Sequence, residues 1–93
     1  MKIRFSRKAE KSLAKIFDHT KKNFSQDLAL KILGTISQSI TKLGEFPRLG
    51  QPIHRDPLRR KLVVEGNVVL YEILLTGDPS IVIRNLRPRR SGE

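Results

Sequence analysis

The N-terminal part of the chain shows two successive hydrophobic patterns. Apolar and basic side chains alternate over residues 2–5, which predicts a short strand. Apolar residues then recur at helical spacing, and this predicts an amphipathic helix over residues 7–23 with Ser6 as its N-cap. The apolar stripe of this helix comprises Ala9, Leu13, Ile16, Phe17, Thr20 and Phe24.

A second apolar stripe follows a short break at Asn23 and Ser25. Ser25 is placed to cap a second helix, and Asp27 in its first turn is favourable for the helix dipole. The stripe comprises Leu28, Ala29, Ile32, Leu33, Ile36, Ile40 and Leu43. Gly34 either permits close packing against the first helix or weakens the second by about 1 kcal/mol, and Gly44 is predicted to end it as the C′ residue. The short break predicts a helical hairpin.

Turn-forming residues dominate positions 45–57, which are therefore predicted to form an irregular connector. Within this connector, Gly50 is expected to adopt a positive φ. Phe46 and Leu49 are expected to pack the loop against the core, and the alternative is that they anchor a partner. Three β-rich runs, separated by turn residues, follow over residues 58–64, 68–76 and 81–87.

The order of these elements predicts the fold class. One strand, two helices and three strands indicate an α+β fold of the type β-α-α-β-β-β. We expect a small, mainly antiparallel sheet with the helical hairpin packed on one face. The chain has 93 residues, which favours a single domain over residues 1–93.

The predicted C-terminal hairpin has two chemically different faces. With Gly66 and Asn67 as a two-residue turn, Lys61 pairs across the hairpin with Glu72. The face expected to meet the helices carries Leu62, Val64, Val69, Tyr71, Ile73 and Leu75. Tyr71 is interpreted as a core aromatic residue with a satisfied hydroxyl. The other face mixes basic and aliphatic side chains, which is typical of a partner site; it carries Arg59, Lys61, Val63, Val68, Leu70, Glu72 and Leu74.

The composition indicates an acidic macromolecule as partner. The formal net charge is +10 and the pI is near 10.7. The absence of cysteine excludes disulfides, thiolate zinc sites and cysteine nucleophiles, and His19 and His54 alone do not make a metal site. No cofactor is therefore expected. His54 is the only candidate general base in the C-terminal half of the sequence, and it is interpreted as an ordinary loop residue. Because no apolar run is long enough to cross a membrane and no signal peptide is recognisable, we expect a cytoplasmic protein without a membrane partner.

The basic residues change type along the chain. They are mostly lysine before residue 45 and mostly arginine after it, and arginine binds phosphate or carboxylate groups through two parallel hydrogen bonds. The densest cluster is predicted to bind the target of the protein, and a frayed basic tail is the alternative. This cluster consists of Arg84, Arg87, Arg89 and Arg90.

Three segments carry a resemblance to the RelE/ParE superfamily of bacterial toxins. They are residues 43–52 (LGEFPRLGQP), 58–62 (LRRKL) and 69–73 (VLYEI), and the resemblance extends over nearly the whole chain. It implies a toxin of a type II toxin–antitoxin pair. The resemblance further implies one of two activities, since RelE-like toxins cleave mRNA on the ribosome and ParE-like toxins poison DNA gyrase. In both branches an antitoxin with an acidic toxin-binding tail neutralises the toxin.

The residue pattern of the RelE-like nucleases is incomplete in this chain. Arg59 and Lys61 match its two basic residues on the first strand of the C-terminal trio, but Val68 stands where it has an arginine. Arg87 matches one member of its second basic pair, Pro88 occupies the other position, and its C-terminal tyrosine is missing. Without these groups, the chain lacks an arginine to stabilise the transition state and a C-terminal residue to transfer a proton. If the chain is a nuclease, the resemblance assigns catalysis to Arg59, Lys61, Arg84 and Arg87.

The favoured hypothesis is therefore a ParE-like toxin that inhibits DNA gyrase by protein–protein contact. The basic exterior of the helices and the arginine cluster would contact an acidic surface of gyrase or of the gyrase–DNA complex. The acidic tail of the cognate antitoxin would bind Arg59, Val63, Leu70 and Leu74. Two alternatives remain open: a ribosome-dependent mRNA endonuclease, and a plain nucleic-acid-binding module whose binding is weak and salt-sensitive.

Overall fold

The computed structural model describes residues 1–90, and its N-terminal half has the predicted elements. They are β1 (Lys2–Phe5), α1 (Arg7–Asn23) and α2 (Gln26–Glu45). The Ser6 hydroxyl accepts a hydrogen bond from the Ala9 N–H at 3.1 Å, and the Ser25 hydroxyl accepts one from the Leu28 N–H at 3.0 Å. Both predicted N-caps are confirmed, because each serine satisfies an N–H group that the first helical turn leaves without a partner.

The C-terminal half supplies four strands to a five-stranded sheet. They are β2 (Gln51–Ile53), β3 (Asp56–Val64), β4 (Asn67–Leu74) and β5 (Ser80–Pro88). The strand order is β1-β5-β4-β3-β2, in which β1 runs parallel to β5 and the other pairs are antiparallel. The helices pack on one face, where α1 contacts β5 and α2 contacts β1 and β3. The predicted α+β fold is confirmed.

The connector is more regular than predicted. Residues 45–57 were expected to be irregular, but β2 pairs with β3 inside this range, and β3 begins at Asp56. Pro52 is compatible with β2 because β2 lies at the edge of the sheet, where a missing N–H breaks no pairing. A short edge strand can therefore form in a segment whose turn residues predict irregular structure.

The β3–β4 hairpin turns one residue earlier than predicted. Glu65 and Gly66, with φ angles of 50° and 74°, form the turn, and this pair of positive φ angles is what a tight two-residue hairpin requires. Consequently Arg59, rather than Lys61, lies opposite Glu72. The predicted Lys61–Glu72 pair is wrong. Because the register shifts by an even number of residues, the two predicted faces are preserved.

A β-bulge interrupts the pairing between β4 and β5. Ile83 and Asn85 oppose consecutive residues of β4, so Arg84 has no partner in the ladder. The bulge allows both Ile83 and Leu86 to be buried, although an uninterrupted strand would place them on opposite faces. Ser6 holds this segment, because its N–H donates to the Ile83 carbonyl and its hydroxyl donates to the Arg84 carbonyl, each at 2.9 Å.

Apolar residues of the helices and the sheet form one core. Its buried members are Ala9, Ile36, Ile40, Leu43, Val64, Val69, Tyr71, Ile73, Ile81, Ile83 and Leu86. Two residues of the predicted stripes, Phe24 and Leu28, are exposed instead, because they flank the turn between the helices. Neither α1 nor α2 is long and apolar enough to cross a membrane.

Two glycines of α2 differ from their predicted roles. Gly44 lies inside the helix and is not its C′ residue, since α2 continues to Glu45 and the cap is Phe46. The Gly44 carbonyl instead accepts a hydrogen bond from the N-terminal amino group of Met1 at 2.8 Å. Gly34 has open space where a Cβ atom would lie, so it does not serve close helix packing and only weakens α2.

Candidate interaction surfaces

The sheet face opposite the helices carries a mixed basic and aliphatic surface. Because side chains alternate along each strand and residues opposite each other share a face, the β3 and β4 positions predicted to bind an antitoxin lie together here. Arg59 and Val63 are exposed, and Leu70 and Leu74 are half-buried. We name this surface the arginine face; it comprises Arg59, Lys61, Val63, Leu70, Glu72, Leu74, Arg84 and Arg87.

One carboxylate organises the arginine face. Glu72 accepts hydrogen bonds from Arg84 Nε, at 3.2 Å, and from Arg84 Nη2. Arg59 Nε lies 3.6 Å from the other carboxylate oxygen, Oε2. Both arginine side chains are more than half exposed, whereas that of Glu72 is 21% exposed. Glu72 therefore joins Arg59, predicted to bind the antitoxin, to Arg84, predicted to bind the target.

A cleft of about 370 Å³ lies beside this ion-pair network, and it is lined by Ile53, His54, Arg59, Leu70, Tyr71, Glu72 and Arg84. His54 and Arg55 form the β2–β3 turn with φ angles of 52° and 62°. For residues other than glycine this conformation costs about 1–2 kcal/mol each. Such strain often occurs at functional sites. The cleft can hold an anionic group between two guanidinium groups, with an imidazole nearby.

The other three members of the predicted arginine cluster lie in β5 or directly after it. Arg87 lies opposite Val68, the fully buried residue that occupies the arginine position of the RelE-like pattern. The Arg89 N–H donates to the Gly66 carbonyl at 2.8 Å. The backbone is therefore held in place up to Arg89 and does not form a frayed tail there. Arg90 is exposed. Within residues 1–90, no group of three His, Cys, Asp or Glu residues is arranged to hold a metal ion.

A buried arginine that sequence reasoning missed lies next to Arg59. Arg60 is 8% exposed, and its guanidinium donates to main-chain carbonyls: Nε to Pro57 at 2.8 Å, and Nη1 to Gly50 at 2.8 Å and to Arg48 at 3.3 Å. Its charge thus fixes the connector to the start of β3. The signal in the sequence was available, since strand alternation places residue 60 on the core face.

Tyr71 holds the same connector from the opposite strand. Its hydroxyl donates to the Pro47 carbonyl at 2.7 Å and accepts from the Gly50 N–H at 2.9 Å, so the predicted core tyrosine with a satisfied hydroxyl is confirmed. Burial raises the pKa of Tyr71 above its usual value, although the Gly50 hydrogen bond and the charge of Arg60 oppose this effect. We call the unit of Arg60, Tyr71 and Gly50 the connector clamp.

Gly50 is required in the connector clamp for a reason other than the predicted one. A Cβ atom at this position would lie 2.5 Å from the Lys61 carbonyl oxygen and 2.8 Å from the Tyr71 hydroxyl oxygen. The backbone φ of Gly50 is not among the positive values found in residues 1–90, so the predicted positive φ is wrong. Close approach of the connector to β3 is what excludes a side chain here.

The connector clamp leaves two apolar side chains in solvent. Phe46 is 59% exposed and Leu49 is 49% exposed, so the prediction that they pack the loop against the core is wrong. They lie beside Met1 and Leu75 around an open apolar cleft of about 510 Å³. Leu75, predicted to be on the core face, is exposed because β4 ends at Leu74. The alternative interpretation of Phe46 and Leu49, as anchors for a partner, is compatible with this exposure.

Comparison with known families assigns the chain. A family model described as the ParE toxin of the type II toxin–antitoxin system parDE matches residues 3–91. The chain therefore belongs to the ParE toxin family of type II toxin–antitoxin systems. A search of curated proteins gives no significant match.

Solved structures support the fold. A chain of a chromosomal ParDE toxin–antitoxin system from P. aeruginosa aligns with a TM-score of 0.79 and 22% identity, covering 97% of both chains. A chain of the RelBE2 toxin–antitoxin complex from Mycobacterium tuberculosis aligns with a TM-score of 0.70 and 21% identity, covering 95% of this chain and 96% of the other. A YoeB/ParE toxin from Agrobacterium tumefaciens aligns with a TM-score of 0.67 and 10% identity, covering 97% and 100%. At these identities the structural matches establish the fold alone.

Proposed function

We propose that this toxin inhibits DNA gyrase by protein–protein contact and that an acidic antitoxin neutralises it by covering the arginine face. Membership of the ParE family supports gyrase as the target, and the net charge of +10 supports an acidic partner. The single observation that carries the proposal is the position of Glu72 between Arg59 and Arg84. An antitoxin bound to Arg59 also covers Arg84, and it thereby blocks target contact by direct competition.

The chemistry of neutralisation follows from this network. An acidic side chain of the antitoxin binds Arg59 and Arg84 in the cleft, in place of or beside Glu72, while apolar antitoxin residues cover Val63 and Leu74. Opposite charges accelerate the encounter, and the apolar contact lengthens the lifetime of the complex. The affinity should therefore fall with salt mainly through the association rate.

A supercoiling assay with purified gyrase tests the target. The wild-type toxin should inhibit supercoiling, and a double variant with Arg84→Gln and Arg87→Gln should inhibit it less. A matched comparison with Lys11→Gln and Lys15→Gln removes the same charge from the basic exterior of α1, and it should weaken inhibition less than the arginine variant does. If the purified toxin leaves both supercoiling and gyrase-dependent DNA cleavage unchanged, gyrase is not the target.

The second candidate is a ribosome-dependent mRNA endonuclease. The observation in its favour is the cleft itself, where His54 lies with Arg59 and Arg84 and supplies an imidazole near two guanidinium groups. Buried Val68 argues against it, because a transition-state arginine is missing at that position. Toeprinting on translating ribosomes separates the candidates: cleavage that is lost in His54→Ala supports the nuclease. If the protein inhibits neither gyrase nor translation, the remaining candidate is a plain nucleic-acid-binding module.

A further inference from the structure

A small polar cleft lies at the β1 edge of the sheet, where it shares Leu74 with the arginine face. It has a volume of about 250 Å³ and is lined by Lys2, Arg4, Leu74, Thr76, Asp78 and Ser80. Lys2 pairs with Ser80 across β1 and β5, and Ser80 pairs with Leu74 across β5 and β4. Because residues opposite each other share a face and Ile81 points into the core, the cleft opens on the sheet face away from the helices. We name it the β1 cleft.

Ser80 is a buried residue whose hydroxyl has no partner. The residue is 4% exposed, yet its side chain makes no hydrogen bond to any part of the chain that the structure describes. No fully buried side-chain nitrogen or oxygen within residues 1–90 lacks a partner, so the Ser80 hydroxyl reaches the surface through the β1 cleft. Buried hydroxyl groups are normally hydrogen-bonded. This hydroxyl is therefore a donor that a ligand in the cleft can use.

Two basic side chains give the β1 cleft a positive charge. Arg4 is exposed and forms no ion pair or side-chain hydrogen bond with the described residues. Lys2 Nζ lies 3.9 Å from Asp78 Oδ2, and this pair is weak because its side chains are 68% and 80% exposed. Glu72, on the same sheet face, is already paired within the arginine face. Two positive charges against one negative charge favour an anionic ligand.

The arrangement of donors suits a phosphate group better than a carboxylate. Lys2 and Arg4 come from β1, Ser80 comes from β5, and Thr76 lies just beyond the end of β4. A carboxylate has two oxygens, whereas a phosphate group has at least three acceptor oxygens that can meet donors from several sides. The volume of the cleft is below the roughly 300–1,000 Å³ of pockets that hold a whole small molecule. Its size therefore fits one phosphate group of a larger ligand.

We propose that the β1 cleft binds a phosphate group. Arg4 and Lys2 supply the positive charge, and the hydroxyl groups of Ser80 and Thr76 donate hydrogen bonds. Asp78 competes with the phosphate for Lys2 and so lowers the affinity. The phosphate belongs either to a monoester or to the diester backbone of a nucleic acid, and probes of the two kinds distinguish these sources. The inference does not depend on gyrase being the target or on what binds the arginine face.

NMR titration of the full chain tests the ligand chemistry. The probes are phenyl phosphate, a monoester, and dimethyl phosphate, a diester, at constant ionic strength with acetate as the control. Saturable shifts are expected at the backbone amides of Lys2, Arg4, Thr76 and Ser80. Saturation by phenyl phosphate alone supports the site with a monoester as its ligand, and saturation by dimethyl phosphate as well supports it with a nucleic-acid backbone. Equal binding of acetate, or phosphate shifts confined to the arginine face, overturns the inference.

Variants locate the binding to the β1 cleft. Arg4→Gln should weaken phosphate binding about tenfold, because a charged hydrogen-bond donor is lost. Arg7→Gln removes the same charge from exposed α1 and should lose less than about twofold. Ser80→Ala should weaken binding about threefold through loss of one hydroxyl donor, and Ser37→Ala on exposed α2 should have no effect. Equal losses in each variant and its control overturn the inference.

Removal of the competing acid gives a change of opposite sign. Asp78→Asn should strengthen phosphate binding about threefold, because Lys2 loses its internal partner. Asp18→Asn makes the same charge change on exposed α1 and should gain less. Circular dichroism should show all variants folded, since Arg4 and Asp78 are exposed and alanine is close to serine in size. Weaker binding in Asp78→Asn, or an equal gain in both aspartate variants, overturns the inference.

Discussion

Arg59 and Arg60 are neighbours in β3, but they belong to two regions with different properties. Arg60 is buried in the connector clamp, where its partners are main-chain carbonyls of the same chain. Arg59 lies on the arginine face, where its partners are the carboxylates of Asp56 and Glu72 at 3.9 and 3.6 Å. Strand alternation alone separates them.

The difference between the two regions lies in how easily each arginine can change partner. A buried guanidinium bonded to carbonyls has no access to another acceptor, and its removal leaves those carbonyls unsatisfied. An exposed ion pair contributes little to stability, and a carboxylate of another protein can replace its partner. The connector clamp therefore fixes the shape of the surface, whereas Arg59 on the arginine face remains accessible to other acceptors.

The largest expected contrast is between the two arginines themselves. Arg60→Met should lower the free energy of unfolding by about 2–4 kcal/mol, because buried carbonyls lose charged hydrogen-bond donors. Arg59→Met removes the same charge and should cost at most about 1 kcal/mol. Urea denaturation of both variants measures the difference. Equal losses would show that the two regions do not differ as described.

A pair of glycines sharpens the comparison by steric means. Gly50→Ala places a Cβ atom against the Lys61 carbonyl and the Tyr71 hydroxyl, and it should destabilise the chain by about 1–3 kcal/mol. Gly34→Ala adds the same methyl group to open space in α2 and should stabilise it by up to about 1 kcal/mol. Thermal denaturation should give opposite shifts in Tm; shifts of the same sign would contradict the role given to Gly50.

Tyr71 gives the connector clamp a measurable pH dependence. The folded chain holds the Tyr71 pKa above its usual value of 10.0, so the neutral phenol is favoured by folding. The stability from this group is complete below pH 10.0 and is lost as the pH rises through the folded pKa. Tyr71→Phe should cost about 1–2 kcal/mol at neutral pH and show a smaller further loss in alkali. An unchanged alkaline loss in Tyr71→Phe would assign that loss to other groups.

The smallest expected effect on stability, with the clearest effect on binding, is at Glu72. Glu72→Gln should change the free energy of unfolding by no more than about 1 kcal/mol, since its ion pairs are partly exposed. It should increase the affinity for polyglutamate, because Arg59 and Arg84 lose their internal carboxylate. Glu45→Gln on α2 makes the same charge change and serves as the control. A weaker affinity in Glu72→Gln would mean that Glu72 orders the arginines and does not compete with the ligand.

Much of the fold follows from local patterns in the sequence. Helix spacing and serine caps predicted α1 and α2 closely, because these signals act within a few residues. The faces of the β3–β4 hairpin were also predicted correctly, although the turn was misplaced by one residue. The resulting register shift is even, so each side chain stays on its predicted face. Burial of Tyr71 followed from the same alternation.

The features that were missed depend on contacts between distant parts of the chain. The bulge at Arg84 forms where β5 meets both β4 and Ser6, and it brings Arg84 to Glu72. The connector clamp joins residues more than twenty positions apart in the case of Tyr71 and Pro47. The sequence therefore identified Arg59 and Arg84 as separate candidates. It did not predict that both arginines contact the carboxylate of Glu72.

The parallel pairing of β1 with β5 has a consequence for synthesis of the protein. Lys2 to Phe5 pair with Ser80 to Ile83, so β1 joins the sheet only after β5 has been synthesised. At about 5–20 residues per second, a nascent chain spends several seconds without this pairing. During that interval Ser6 has no Ile83 and Arg84 carbonyls to bind, and the bulge that delivers Arg84 to Glu72 is not yet held. The arginine face should thus reach its final geometry only when translation is nearly complete.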